Sequence, residues 1–233
     1  AIILQAKRTV GWATCHLMFV SLSSYGGALQ ESVVFQQGVE GYHTYRIPTI
    51  VQSKDETTLL AFAEGRKSGF GDHGDIDLVL KRSVDGGATW GALQVIDSNG
   101  FSESGNPAPV VDFVTGNIIL PFVRDRENPV LKTSNDNGAT WSELVDLGSS
   151  AKLSAWDGYF FGPVHGIQLK RGTHAGRIVV SGNHTRKLVY AGSCAYSNLI
   201  ALPDGQVGVL FERDQSKRIS LARFPLAWLE SKP

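Results

Sequence analysis

The sequence predicts an all-β fold assembled from small repeated sheets, and three observations predict it. Glycine is abundant, at 26 of 233 residues, while long helical periodicity is scarce; that combination favours short strands joined by tight turns. The apolar residues come instead in short runs and alternations, such as Leu59-Leu60-Ala61-Phe62-Ala63 and Ile76-Asp77-Leu78-Val79-Leu80, the patterns of buried and half-buried strands. Finally, Ser83-x-Asp85-x-Gly87-x-Thr89-Trp90 matches Ser134-x-Asp136-x-Gly138-x-Thr140-Trp141 position for position, 51 residues apart. A repeat of about 40–50 residues, each copy holding several short strands, is the signature of propeller blades.

Taken in order, residues 1–32 stand apart from the rest. Lys7 and Arg8 precede an apolar run over 10–22, followed by small and polar residues to Ala28. This is the outline of a secretory signal over 10–28, and a secreted or lumenal location follows if it is one; the alternative is an irregular N-terminal extension. The run is too short and mixed for a membrane span. Residues 33–233 form the β domain. Strands are expected at 33–35 and 46–51, with Pro48 marking a strand end or edge. Further strands are expected at 59–64 and 76–81, separated by a loop over 68–74 that carries Asp72. The boxes Asp85-Gly86-Gly87 and Asp136-Asn137-Gly138 have hairpin-turn chemistry, since these residues tolerate positive φ. Each closing Trp can pack back under its own hairpin, and the boxes are expected to stabilise blades rather than touch a ligand. Strands at 118–125, 195–199, 207–212 and 219–224 complete the reading, and Asn183-His184-Thr185 is a glycosylation sequon if the chain is secreted.

Formal net charge is zero, so no global field draws nucleic acid or an anionic membrane. Affinity for an anion must come from locally placed cations. Cys15 and Cys194 show no metal-ligand spacing and read as two unpaired thiols, with a disulfide the alternative. No metal and no cofactor are expected.

Tyr45-Arg46-Ile47-Pro48, Glu64-Gly65-Arg66, Asp72, Gly74-Asp75-Ile76-Asp77, the two boxes, Pro163-Val164-His165-Gly166-Ile167, Ala195-Tyr196-Ser197 and Leu210-Phe211-Glu212 occur in this order. In them the chain resembles the exo-α-sialidases (neuraminidases) of the six-bladed propeller type. The resemblance implies hydrolysis of terminal sialic acid from glycoproteins, glycolipids or oligosaccharides. It makes Arg46 one of three arginines that clamp the substrate carboxylate, a role suited to a planar, permanently charged guanidinium. Arg66 would lie at the pocket floor, and Asp72 would be the general acid/base. Tyr196 would be the nucleophile, a phenol avoiding part of the repulsion that a carboxylate would meet from the substrate's own carboxylate. Glu212 would brace Arg46, and Asn106, Pro107 and Asp125 would line the pocket, with Asp75 and Asp77 structural.

The chain also departs from that pattern. The resemblance calls for two more clamp arginines and a glutamate that takes the tyrosine proton, between Val164-His165-Gly166-Ile167 and Tyr196. That interval holds Arg171, Arg177 and Arg186 outside any matching motif and has no Asp or Glu. At about 50 residues per blade, residues 33–233 make roughly four blades, not six, which points to an internal deletion near 186–194. An incomplete ring leaves sheet edges open, so a homo-oligomer is the expectation that follows. The alternatives to an active sialidase are a catalytically impaired propeller that binds sialosides weakly and a fragment without a function of its own.

Overall fold

The computed structural model describes residues 2–9, 12–19, 30–152, 158–162, 164–182, 194–214 and 217–230. The chain divides into two compact units, residues 1–31 and 32–233. In the first, β1 (Ile2–Thr9) and β2 (Trp12–Phe19) pair antiparallel, Ile2 opposite Phe19 and Thr9 opposite Trp12. Sequence reading assigned no strands there.

The second unit is a succession of antiparallel sheets. The first contains β3 (Thr44–Gln52), β4 (Leu59–Arg66), β5 (Ile76–Ser83) and β6 (Gln94–Asp97), side by side in chain order. The second contains β7 (Ser104–Gly105), β8 (Val110–Val111), β9 (Ile118–Arg124), β10 (Asn128–Ser134) and β11 (Val145–Asp146). Here β7 and β8 both pair with β9, which leads through β10 to β11. After the one-turn α1 (Gly148–Ala151), β12 (Ile167–Gln168) and β13 (Ile178–Val179) form a two-stranded sheet. The last sheet is β14 (Cys194–Ala201), β15 (Val207–Arg213) and β16 (Arg218–Phe224), followed by α2 (Leu226–Glu230). Among the described residues these four sheets are blades of an incomplete β-propeller and do not close into a ring.

Hydrophobic burial joins the sheets. Leu60, Phe62, Leu78, Leu80 and Ile96 of the first pack with Ile118, Leu120, Phe122 and Val130 of the second in one core. β4 is buried along nearly its whole length, which explains its unbroken apolar run: both faces are covered. Leu169, Leu199, Val207, Phe224 and Leu226 make a second core around the last sheet. At the seam of the first two sheets Ile76 forms a parallel bridge with Glu103.

The two boxes fold identically. Ser83 Oγ donates to Asp85 at 2.7 Å and accepts from the Gly87 N–H at 2.9 Å, while Asp85 also accepts the Thr89 N–H at 2.9 Å. The corresponding distances at Ser134, Asp136, Gly138 and Thr140 are 2.8, 2.8 and 2.9 Å. Gly87 and Gly138 sit at φ of +93° and +77°, where a Cβ is strained. Thr89 hydroxyl donation leads the hydrogen bonds that hold the Asp85 carboxyl at about 2. The second box also staples sheets together. The Asn137 carbonyl accepts from Arg82 at 2.8 Å, and the Asn137 amide donates to Asp55 at 3.0 Å. Trp141 lies edge-on to Phe62 of the first sheet at 5.9 Å, so it packs across to a neighbouring sheet, whereas the sequence suggested its own hairpin.

One further expectation is corrected and one is met. Residues 33–35 are not a strand; Val33 is exposed, and Phe35 is held by side-chain packing, stacked on Tyr45 at 5.1 Å. Pro48 marks a strand edge, as expected, and lies within that strand. β3 ends its sheet, and its register to β4 shifts between Arg46 and Thr49, with Ile47 at φ +54°. The missing N–H of proline is tolerated at such a bulge. The sequon at 183–185 and the deletion expected near 186–194 lie outside the described residues, except Cys194 at the start of β14.

Candidate active site

The first sheet places its chemistry at one end. Antiparallel register sets Arg46, near the start of β3, opposite Glu64 near the end of β4, and sets Thr44 opposite Arg66. Glu64 and Arg66 are two residues apart on one strand and therefore share a face. The chain then leaves β4 as the exposed loop that carries Asp72 and returns at β5.

Arg66 is the centre of this arrangement, with a side chain only 3% exposed. Its Nη2 and Nε donate to Glu64 Oε2 at 2.6 and 3.1 Å. Its Nη1 meets Asp72 Oδ1 at 2.7 Å and the carbonyls of Phe70 and Gly71 at 2.6 and 2.8 Å. A cation this deep requires such partners, because burial penalises its charge. Burial is the largest single influence and pulls the Arg66 pKa down, but the Glu64 and Asp72 carboxylates outweigh it and the net shift is upward. Arg46, half-exposed, donates from Nη1 to the same Asp72 Oδ1 at 2.9 Å. The Arg66 hydrogen bond is the main cause that holds the Asp72 carboxyl below its ordinary range, with both arginine charges acting in the same sense. Asp72 is therefore an ionised acceptor between two guanidiniums.

The second sheet reaches the same place. Glu64 Oε1 accepts the Asn106 N–H at 3.0 Å, and the Asn106 side chain donates to the Phe161 carbonyl at 3.3 Å. Gly105 permits this approach: a Cβ there would collide with the Glu64 carboxylate. Glu103, 8% exposed, has its carboxyl pushed up to about 7 by burial, partly opposed by Arg126. Arg126 Nη1 lies 4.0 Å from Glu103 and donates to the Asp72 carbonyl at 2.9 Å.

The site residues expected from the sequence are thus placed unevenly. Arg46, Arg66 and Asp72 converge, and Asn106 joins them through Glu64. The Asp125 carboxylate instead accepts from Asn99 at 2.9 Å and from the Ser102 hydroxyl, so it ties down the 99–102 loop. Arg46 meets the carboxylate of Asp72; Glu212 lies on β15 opposite Ile219. Tyr196 is near the start of β14, within the register shift between Cys194 and Ser197; its side chain lies outside what is described. Asp77 is structural, buried and accepting from the Tyr42 hydroxyl at 2.7 Å, and Lys67 joins it to Asp75. The sequence reading assigned no role to Glu64, Glu103 or Arg126. The spacing Glu64-x-Arg66 was a usable signal, since it puts opposite charges on one face of a strand. Arg126 reads as an ordinary charged turn residue, and nothing local marks Glu103 as buried.

This fold and this blade end define an Asp-box β-propeller with an arginine–carboxylate cluster. Residues 57–203 match the BNR repeat-like domain family, more than half of the chain. An exo-alpha-sialidase of Arthroderma benhamiae is 31% identical over 212 residues, covering 72% of this chain and 50% of that protein. Among solved structures, the intramolecular trans-sialidase of Ruminococcus gnavus superposes with a TM-score of 0.68 at 15% identity, over 83% of this chain and 71% of its own. A Trypanosoma rangeli sialidase in complex with 2,3-difluorosialic acid, described as a covalent intermediate, gives 0.58 at 18% identity, over 82% of this chain and 38% of its own. The chain belongs to the BNR-repeat family, on its sialidase branch. It spans about half the length of the curated relatives it matches.

Proposed function

We propose that this chain carries an exo-α-sialidase site that hydrolyses terminal sialic acid from glycoproteins, glycolipids or oligosaccharides. The observation that carries the reading is the convergence of Arg46 and Arg66 on one carboxylate oxygen, at 2.9 and 2.7 Å. Two guanidiniums that can share one carboxylate oxygen suit a substrate whose anomeric carbon bears a carboxylate. When that carboxylate takes the arginines, Asp72 loses the partners that keep it ionised and can hold a proton. Asp72 then protonates the leaving glycosidic oxygen while the Tyr196 oxygen bonds to the anomeric carbon and gives up its phenolic proton to solvent. In the second half Asp72 removes a proton from water, which attacks the same carbon and releases Tyr196. Tyr196 needs a base for its own proton, and the interval 166–195 offers no carboxylate for it. The four sheets among the described residues, against the six blades that the resemblance implies, are read as an internal loss near 186–194.

A second reading, a sialoside binder without turnover, is favoured by that missing base and by the ion pairs that keep Asp72 ionised. The test is release of the fluorophore from an aryl α-sialoside, beside Asp72→Ala and Arg46→Ala. For the enzyme, Asp72→Ala lowers turnover by roughly 10²–10⁴-fold with sialic-acid binding retained, and Arg46→Ala weakens binding by about tenfold or more. Covalent labelling of Tyr196 by 2,3-difluorosialic acid would identify the nucleophile. Binding without turnover or labelling would establish the second reading.

A further inference from the structure

Arg126 is not needed by the chemistry above, yet its setting is specific. It lies in the turn between β9 and β10, where the Glu127 N–H bonds the Arg124 carbonyl at 3.2 Å. Asp125 and Arg126 both have positive φ, +55° and +57°. That geometry favours Gly or Asn, and a long side chain there carries backbone strain. The Arg126 side chain is also ordered on three sides. Its guanidinium lies 4.8 Å over the Phe160 ring, 4.0 Å from Glu103 and 2.9 Å from the carbonyl of Asp72. Arg66, from the first sheet, takes the two preceding carbonyls, Phe70 and Gly71. Three consecutive loop carbonyls are therefore gripped by guanidiniums from two different sheets.

We propose that Arg126 is a positioning residue: from the second sheet it fixes the loop that carries Asp72 on the first. Its bearing on catalysis rests on the reading of Asp72 as the acid/base; the grip on the loop does not. Glu103 and Phe160 aim the guanidinium, and the two sheets must be docked for the loop to be held.

The test uses Arg126→Gly and Arg126→Lys in the full chain. Glycine suits the positive φ, so Arg126→Gly removes the side chain while relieving the turn. Backbone amide order parameters of Gly71, Asp72 and His73 are expected to fall from about 0.85 toward 0.6 in Arg126→Gly, with those of β9 unchanged. Arg126→Lys, which keeps a donor and a charge, should recover part of the loss. Unchanged order in the 71–73 loop would overturn the proposal, and so would an equal loss throughout the second sheet. Where the parent turns over an aryl α-sialoside, Arg126→Gly should lower kcat about tenfold with KM within twofold. A rise in KM alone would mean that Arg126 touches the substrate, which also overturns the proposal. Absence of turnover in the parent would sink the hydrolase reading and leave the order parameters to decide this one.

Discussion

Removing the Glu64 carboxylate is the sharpest perturbation of this site. Its two oxygens serve both sheets: Oε2 accepts twice from Arg66, and Oε1 accepts the Asn106 N–H. Both ion-pair side chains are buried, 3% and 6% exposed, so the pair is not screened by water. Glu64→Ala leaves a buried guanidinium short of its main counter-charge, at a cost of about 3–5 kcal/mol. It also orphans the Asn106 N–H, worth about 1–3 kcal/mol by itself. The two costs share one group and do not add fully, so about 4 kcal/mol is the expected loss. Urea unfolding followed by tryptophan fluorescence should show it directly, as should a fall in Tm of roughly 10 °C for a chain of this size. The companion variant is Glu64→Leu with Arg66→Met, which replaces the pair by apolar volume. Such exchanges are often neutral or stabilising, so it should recover most of the stability while abolishing sialic-acid binding. A Glu64→Ala loss below about 1 kcal/mol would refute the reasoning, because the pair would then have to be solvated.

Two further outcomes follow from the same geometry. The Glu103 carboxyl is raised from 4.5 to about 7 by burial, in a setting faced by Arg126, Glu64, Arg66 and Asp125. A raised folded-state pKa means stability that is full below about 4.5 and lost as pH rises through about 7; roughly 3 kcal/mol should disappear over that window, and Glu103→Gln should flatten this part of the curve, as denaturation at pH 4.5 and 8 will show. Asp136→Ala should lower Tm more than Asp85→Ala, because the second box also carries the Asn137 contacts to Arg82 and Asp55; equal effects would mean that those cross-sheet bonds contribute nothing.

Much of this organisation was legible in the sequence because it is local. The boxes announce themselves through Asp, Gly and Thr at fixed spacing, and each closes on its own hydrogen bonds. β4 is readable as an apolar run because both its faces are covered. The convergence of Arg46, Arg66 and Asp72 was carried by motifs that resemble a known family. What escaped reading depends on contacts between distant segments. Trp141 could not be assigned to Phe62 without knowing which sheets adjoin. The hydrogen bonds of Asp125 to Asn99 and Ser102 tie it to a loop that no local pattern connects to it. Glu103 looks like any loop glutamate until the seam at Ile76 buries it.

The bulge in β3 has a colloidal consequence. An outer strand with a regular ladder of free amides is a template on which another chain can add, the first step toward aggregation. β3 occupies such an outer position, but Pro48 lacks an amide and the shift between Arg46 and Thr49 breaks the ladder's repeat. The distortion next to Arg46 thus also makes this border a poor template for strand addition. β16, an outer strand of the last sheet, has no proline and carries Ile219 and Leu221, 68% and 51% exposed. Self-association of concentrated protein should therefore begin at the β16 border, and a charged residue at Ile219 is the substitution that should suppress it.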